Sequence, residues 1–410
     1  METLTKPTDT RLRRFTETGT VYPILFMISI THLLNDMMQS VIPAVYPLLK
    51  EKFGFTFAQI GIITLVFQMT SSLLQPFIGL YADRHPRPYS LAAGMCFTLL
   101  GLFTLSVAPG FVPILLAVGL IGCGSSVFHP ESSRVAQLAS GGRKGLAQSI
   151  FQVGGNAGSA FGPLLAALVV IPFGQASIGW FALAAILAIL ILSRIGRWYK
   201  LRLTVTANRP AAAAAAPAHH LGKRKIRLAL GILGVLVFSK YFYIASMTNY
   251  FTFFLMDKFE ISVQGAQYCL FTFLGASAVG TVAGGPLGDR FGRKYVIWGS
   301  ILGAAPFTLL LPYANLTCTI VLAVIIGLVI SSAFSAILVY ATDLMPGKVG
   351  MVAGIFFGLM FGLGGLGSAF FGWLADKTSI EFIFRISTLL PLLGIITGFL
   401  PNIEGKTTNT

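Results

Sequence analysis

The chain contains 410 residues, of which 55% are hydrophobic and only 10% are charged. Soluble proteins usually carry about a quarter charged residues, because water must hydrate their surface, so this composition excludes an ordinary soluble domain. The net charge of +15 could indicate a nucleic-acid partner, but the basic residues cluster at the ends of apolar segments, as in membrane loops. We therefore expect a lipid bilayer, and no nucleic acid, around the chain. No disulfide or metal framework is expected, because all four cysteines lie inside apolar segments: Cys96, Cys123, Cys269 and Cys318.

A helix needs about 20 apolar residues to cross the ~30 Å hydrocarbon core of a bilayer. Twelve segments meet this requirement, so the sequence predicts an all-α membrane protein with twelve transmembrane helices. In chain order they are residues 21–43, 58–80, 90–108, 112–138, 146–170, 178–196, 227–249, 265–287, 295–312, 318–341, 351–373 and 382–400.

The basic residues predict the orientation of these spans. Loops on the N-terminal side hold 23 of the 29 lysines and arginines. The opposite loops hold only Lys50, Lys52, Lys258 and Lys377. Because basic loops stay in the cytoplasm, both termini are expected to be cytoplasmic.

Residues 197–226 form the only long polar stretch, which we interpret as a flexible, basic cytoplasmic linker. Its adjacent His219 and His220 could bind a metal, but two neighbours in a mobile linker make a poor site. The linker predicts an N-terminal six-helix domain at 1–196 and a C-terminal one at 227–410.

The two halves share a signature between their second and third spans. Residues 79–87 read GLYADRHPR and residues 285–294 read GPLGDRFGRK, and a shift of 206 residues superimposes Asp83 on Asp289. The second copy is a complete Gly-x-x-x-Asp-Arg-x-Gly-Arg-Lys pattern, which resembles the signature loop of the major facilitator superfamily. The first copy departs from it, with Pro86 where Gly is expected.

The resemblance implies two pseudo-symmetric six-helix bundles that form a monomer and carry a small molecule by rocker-switch alternating access. It implies a bacterial inner-membrane protein that needs no cofactor beyond the proton-motive force. The segments THLLNDMMQS at 31–40 and GSSVFHPESSRVA at 124–136 also resemble a branch of this family that exports a phosphonate antibiotic.

Polar residues line one stripe of the first span at positions i, i+3, i+4 and i+7: His32, Asn35, Asp36 and Gln39. A rise of 1.5 Å per residue places Asp36 roughly 22 Å into the membrane. Charge is costly there, so Asp36 and His32 are candidates for proton coupling, and Asn35 and Gln39 for substrate binding. The alternative is a satisfied polar pair that fixes the first span against its neighbour.

The fourth span ends in His129-Pro130-Glu131, with Arg134 one turn further on. Glu131 is a third proton candidate, and His129 and Arg134 are candidate substrate ligands. The alternative is a cytoplasmic gate ion pair between Glu131 and Arg134. Many drug–proton exchangers of the family carry an arginine in the middle of this span, where Val118 or Gly119 stands here, so coupling would depend on Asp36, His32 or Glu131.

The fifth span carries Gln148, Gln152 and Asn156 on one face, which could donate hydrogen bonds to an oxyanion or only join helices. Gly158 and Gly162, before Pro163, resemble the antiporter motif of the family. Their spacing of four residues is equally typical of close helix packing.

The seventh span carries Lys240 near mid-membrane, flanked by Tyr241 and Tyr243. A buried lysine can bind an anion, so all three are candidate substrate residues; snorkelling of the lysine to the interface is the alternative. In the signature loops we expect ion pairs of a cytoplasmic gate, formed by Asp83, Arg84, Asp289, Arg290 and Arg293.

These features predict proton-driven export of a small anionic drug, such as a phosphonate antibiotic. Import or exchange of an organic acid or phosphorylated metabolite would use the same cavity. A membrane enzyme is not expected, because the sequence lacks HExxH, nucleophile-elbow and Walker motifs. A receptor or scaffold would not need the buried Lys240 or Asp36.

Overall fold

A computed structural model describes residues 19–206, 222–345 and 349–403. Within them, twelve helices are long and apolar enough to cross a membrane, which confirms the predicted fold class. We number them α1 (Tyr22–Ala44), α2 (Phe57–Ile78), α3 (Ser90–Val107), α4 (Phe111–Ala139), α5 (Leu146–Phe173), α6 (Gln175–Thr204), α7 (Lys223–Phe259), α8 (Val263–Gly284), α9 (Arg293–Tyr313), α10 (Leu316–Ala341), α11 (Gly354–Lys377) and α12 (Ile380–Phe399).

The predicted spans agree with these helices within a few residues, except at α6 and α7. Helix α6 continues to Thr204, and α7 runs over 37 residues from Lys223. The end of α6 and the start of α7 are rich in Lys and Arg, so a search for apolar segments stops before the helix does. At its other end α7 continues through the mostly apolar residues 250–259, beyond the length that a single span needs. Backbone hydrogen bonds continue the helix regardless of which solvent surrounds it.

The N-terminal bundle comprises α1–α6 and the C-terminal bundle α7–α12. We call the side of the membrane where α1 begins the linker side, and the opposite side the distal side. Odd-numbered helices therefore run from the linker side to the distal side. Past α1, the short distal helix Tyr46–Phe53 leads to Thr56, whose hydroxyl accepts a hydrogen bond from the backbone N–H of Gln59 and so caps α2.

The two bundles meet where α2 packs along α11 and α5 along α8. The α2–α11 contact is close enough that a Cβ atom on Gly372 would lie 2.2 Å from the carbonyl oxygen of Phe57. Glycine permits this backbone approach, which is how membrane helices pack without a hydrophobic driving force between them.

Hydrogen bonds between the bundles, where the structure describes them, lie in the distal half. Gln267 donates to the carbonyl of Ala44 at 2.6 Å, and Thr64 donates to the Asn249 side chain at 2.9 Å. Both cross from one bundle to the other. The molecule is thus closed on the distal side.

Several predicted features lie outside the described residues. They include the basic N-terminal segment and residues 207–221 of the linker, with the His219-His220 pair. The four cysteines are described, and their thiols are free.

Candidate functional site

Three titratable side chains from two helices meet inside the N-terminal bundle. His32 Nε2 lies 3.2 Å from one carboxylate oxygen of Asp36, and His129 Nε2 lies 3.6 Å from the other. The two imidazole rings contact each other edge to face, with centroids 5.4 Å apart. His32 is buried, and the other two side chains retain about one sixth of their exposure (16% for Asp36, 15% for His129). We call this set the His–Asp–His triad.

Helix α5 fixes the position of His32. Its Nδ1 lies 2.8 Å from the Phe151 carbonyl oxygen, and its ring stacks on the Phe151 ring with centroids 4.0 Å apart. One turn on, a Cβ atom added to Gly155 would lie 2.3 Å from the His32 ring and 2.8 Å from the Asp36 carboxylate. Only glycine at this position leaves room for the pair.

Helix α4 orients His129 in a similar way. Its Nδ1 lies 3.1 Å from the Ser125 carbonyl oxygen and 3.2 Å from the Ser125 hydroxyl. Both histidines therefore turn Nδ1 towards a backbone carbonyl and Nε2 towards Asp36.

The neighbours of each Nδ1 are the basis for assigning the ring hydrogens. A carbonyl oxygen only accepts, so His32 Nδ1 carries the hydrogen that it donates, and we assign the same tautomer to His129, whose Nδ1 lies beside both the carbonyl and the hydroxyl of Ser125. A neutral histidine of this tautomer has a lone pair on Nε2. Two lone pairs and one carboxylate would then converge with no donor between them, which is repulsive. At least one added proton turns this repulsion into a hydrogen bond, so the arrangement suits proton storage.

The same three groups could also hold a metal ion, because their ligand atoms all lie within 4.8 Å of one another. The sequence predicts no metal site, and chelation distinguishes a metal ion from protons as the occupant.

Amide side chains surround the triad. Asn35 donates to Asp36 at 3.0 Å, and Ser125 donates to Gln39 at 3.3 Å. In α5, Gln152 donates to Asn156 at 3.1 Å. The side-chain nitrogens of Gln39 and Asn156 are buried with no partner among the described residues. These two donors are available to a ligand.

The rest of the polar face of α5 joins helices. Ser133 of α4 donates to Gln148 at 3.1 Å, which links α4 to α5. A Cβ atom on Gly158 would lie 2.2 Å from the Leu33 carbonyl oxygen, and one on Gly162 would lie 2.4 Å from the Ser40 side chain. Both glycines therefore serve the close packing of α5 on α1.

The structure does not bring His129 together with Glu131 and Arg134. The buried Glu131 accepts a hydrogen bond from Ser90 of α3 at 3.2 Å and lies 4.0 Å from Arg134. Arg134 faces the ring of Tyr199 in α6, 6.0 Å from its centroid. Two residues turn a helix by about 200°, so Glu131 and His129 point to nearly opposite sides of α4. This placement favours the ion-pair alternative for Glu131 and Arg134.

Lys240 lies near the middle of α7 and is only 2% exposed. Its ammonium group faces the rings of Tyr241 and Phe334, 5.5 and 5.8 Å from their centroids. The described residues offer it no carboxylate and no hydrogen-bond acceptor. The neighbouring Tyr243 is fully buried, and its hydroxyl also lacks a described partner. Lys240 does not snorkel; it is a buried cation whose charge no described anion balances.

Three phenylalanines connect the surroundings of Lys240 with the triad. Phe334 contacts Phe357 of α11 with ring centroids 5.7 Å apart, and Phe361 of α11 contacts His129 at the same centroid distance. Phe357 and Phe361 are one turn apart, so they share a face of α11. We call Phe334, Phe357 and Phe361 the aromatic row.

The signature loops are described only in part. Arg293 forms an ion pair with Asp343, a residue just past α10 that the sequence analysis missed. Arg290 is exposed and faces the ring of Phe291. The side chains of Asp83, Arg84 and Asp289 lie outside what the structure describes, so their gate role stays a prediction.

The sequence analysis also missed the polar contacts on the distal side. Thr64, Asn249 and Tyr46 form a buried chain, in which the Tyr46 hydroxyl lies 2.6 Å from that of Thr64. Thr64 and Asn249 lie in the spans α2 and α7 and Tyr46 in the short distal helix, and no local pattern distinguishes these residues from helix-packing ones.

Comparison with known proteins identifies a family of membrane transporters, in agreement with the twelve-helix fold. The family model of the Major Facilitator Superfamily matches residues 28–256 and 235–410. The fosmidomycin resistance protein of Escherichia coli (strain K12) is 59% identical over 391 residues, which cover 95% of this chain and 96% of that protein. The uncharacterized MFS-type transporter YfnC of Bacillus subtilis (strain 168) is 43% identical over 93% of this chain and 94% of its own.

Among solved structures, a bacterial homologue of the human lysosomal transporter Spinster, inward-facing and occupied, superposes with a TM-score of 0.70. It shares 16% sequence identity and covers 92% of this chain and 94% of its own, so it supports the fold. The family matches confirm a transporter rather than an enzyme. The twelve spans, the repeated signature and these relatives together show that the chain belongs to the major facilitator superfamily.

Proposed function

We propose that this protein exports a small anionic drug, a phosphonate antibiotic such as fosmidomycin, in exchange for protons. The proposal is carried by two sites that the described residues leave unsatisfied. Lys240 is a buried cation without a described anion, and the three acceptors of the His–Asp–His triad converge and need a proton. One site suits an anionic cargo and the other suits the coupling ion. The name of the Escherichia coli relative supports the choice of cargo.

The cargo site centres on Lys240. A phosphonate carries negative charge on oxygens, and a charge-assisted hydrogen bond to an ammonium group is among the strongest it can form. Inside a membrane such a bond also removes the cost of an unbalanced lysine. Tyr241 lies beside this cation, and the free amide nitrogens of Gln39 and Asn156 offer further donors from the N-terminal bundle.

The proton site is the triad. Asp36, His32 and His129 together take up protons from one side of the membrane and release them to the other as access alternates. Glu131 is not part of this site, because its contacts run to α3 and to Arg134. His129, first considered a substrate ligand, takes its place.

Alternating access requires two bodies that rotate against each other. We assign them to residues 1–196 and 227–410, joined by the linker at 197–226, in a monomer of the bacterial inner membrane. The linker side is the cytoplasmic side by the distribution of basic residues. The closed distal side then corresponds to an inward-facing stage, and the signature loops would close the cytoplasmic side at the opposite stage.

The test uses the purified protein in proteoliposomes with a pH-sensitive dye inside. Addition of fosmidomycin is expected to drive proton movement in the opposite direction to the drug, and an imposed pH gradient is expected to accumulate the drug. Lys240→Ala should weaken both effects strongly at drug concentrations near the wild-type KM. Lys258→Ala is the matched control, because Lys258 donates to the carbonyls of Pro312 and Ala314 at the distal end of α7.

Absence of drug flux and of proton movement in the wild-type protein would overturn the proposal. Flux of organic acids or phosphorylated metabolites in place of the drug would instead establish the alternative function, since Lys240 can bind either kind of anion.

A further inference from the structure

Phe361 is the point at which the C-terminal bundle contacts the triad. The described partners of His129 within its own bundle are Asp36, His32, Phe128 and Ser125. The ring of Phe361, 5.7 Å from that of His129, comes from α11 of the other bundle. Any rotation of one bundle against the other therefore changes this contact.

Phe361 is also connected to the cargo site. Phe334 faces the Lys240 ammonium group and touches Phe357, which lies one turn from Phe361 on the same face of α11. An anion bound to Lys240 competes with Phe334 for the ammonium group, because a full negative charge attracts it more strongly than the face of a ring. The aromatic row can then shift as cargo binds.

We propose that Phe361 is a positioning residue that couples the cargo site and the position of α11 to proton occupancy of the triad. In the distal-closed arrangement its ring supports His129 against Asp36, so that Nε2 faces the carboxylate. When cargo binds at Lys240 while the distal side is still closed, the aromatic row shifts and Phe361 withdraws, so that His129 can turn from Asp36 and the shared proton leaves on the cytoplasmic side before the bundles rotate. This inference rests on the proposed function and adds the residue that connects its two sites.

Among the described residues, the titratable groups that face His129 are His32 and Asp36 of α1. From α5 the described contact is the carbonyl of Phe151, which lies behind His32. From α11 the contact is an apolar ring. Phe361 thus acts on proton binding through geometry, because it brings no charge of its own.

The experiment compares Phe361→Leu with Phe370→Leu in proteoliposomes. Phe370 lies on the same helix, is 44% exposed, and its described ring contacts are with Phe242, Phe371 and Trp373, away from the triad. Two quantities are measured: exchange of labelled fosmidomycin for unlabelled fosmidomycin, and protons moved per drug molecule transported.

Phe361→Leu should keep at least half of the drug exchange while the number of protons per drug falls about tenfold and its pH dependence flattens. Phe361→Tyr, which keeps the ring, should restore coupling, and Phe370→Leu should behave as wild type. If Phe361→Leu does not fold, Phe357→Leu interrupts the row one step earlier and should also uncouple.

Unchanged coupling in Phe361→Leu, or an equal loss of exchange and proton movement, would overturn the inference while the proposed function stands. A wild-type protein that moves no protons with the drug would overturn both.

Discussion

The carboxylate of Asp376, at the end of α11, accepts a hydrogen bond of 2.8 Å from the backbone N–H of Phe57, the first residue of α2. Its second oxygen accepts another of 2.7 Å from Ala58. A residue of one bundle therefore caps a helix of the other. The positive end of the α2 dipole meets a negative charge there, which stabilises the closed distal side.

Asp376→Ala is expected to favour the distal-open state. Loss of a helix cap costs about 1 kcal/mol, which corresponds to roughly a fivefold shift in the equilibrium between the two states. In a background without the native cysteines, maleimide labelling of Thr64→Cys, a buried distal position, should accelerate by about that factor. The exposed Asp257, near the distal end of α7, provides the control: Asp257→Ala should leave the labelling rate unchanged.

Asp36→Asn should abolish drug-driven proton movement while drug exchange and folding persist. The amide keeps the shape of the carboxylate but cannot hold the shared proton of the triad. Glu131→Gln is the informative comparison, because Glu131 pairs with Arg134 on the other side of α4 and should retain coupling. The dye assay for protons per drug checks both variants; full coupling in Asp36→Asn would exclude Asp36 as the coupling site.

Lys240→Ala should weaken transport of anionic cargo specifically. A hydrogen bond to a charged group contributes about 1.5–3 kcal/mol, so the KM for fosmidomycin should rise by roughly 10- to 150-fold. A neutral cargo of similar size is the control, if the wild-type protein carries one. An equal loss for both cargoes would assign Lys240 a structural role.

Gly155→Ala should disturb the triad and lower stability, because the added Cβ would lie 2.4 Å from His32 Nε2. Overpacking of this kind costs about 1–3 kcal/mol, measurable as a lower Tm in detergent and as reduced proton coupling. Gly364→Ala in α11 is the matched variant, since an added Cβ there meets nothing within 4 Å. Identical behaviour of the two variants would contradict the packing described for α5.

Chelation tests whether protons or a metal ion occupy the triad. Treatment with EDTA on both sides of the membrane should change drug flux and protons per drug less than twofold, within the scatter expected of a rate assay. A large loss that zinc restores would assign the triad to a metal ion instead.

The sequence predicts the spans well because lipid tolerates few charged residues. A long apolar segment is therefore interpreted as a transmembrane helix. It also predicts the stripe of α1, since residues four apart on a helix are neighbours whatever surrounds them. His129 and Glu131 are two residues apart in the chain, but the rotation of the helix turns them to different sides of α4. The pairing of His129 with Asp36 depends on how α4 packs against α1, which no local pattern encodes.

The same reason explains the missed residues. Asp376 is one charged residue at a span end, like many others, and becomes a cap only because α2 of the other bundle begins beside it. Asp343 likewise has a recognisable role only because the fold brings it into an ion pair with Arg293. Contacts between distant segments are a property of the tertiary fold.

The repeat itself shows how the two bundles diverged. Under the shift of 206 residues, His32 and Asp36 correspond to Phe238 and Phe242, whose tilted rings contact each other with centroids 4.3 Å apart, and Lys240 corresponds to Leu34. Duplication thus left the triad in one copy and the buried lysine in the other. In the function that we propose, cargo range can therefore evolve through substitutions in the second copy while the proton site stays intact in the first.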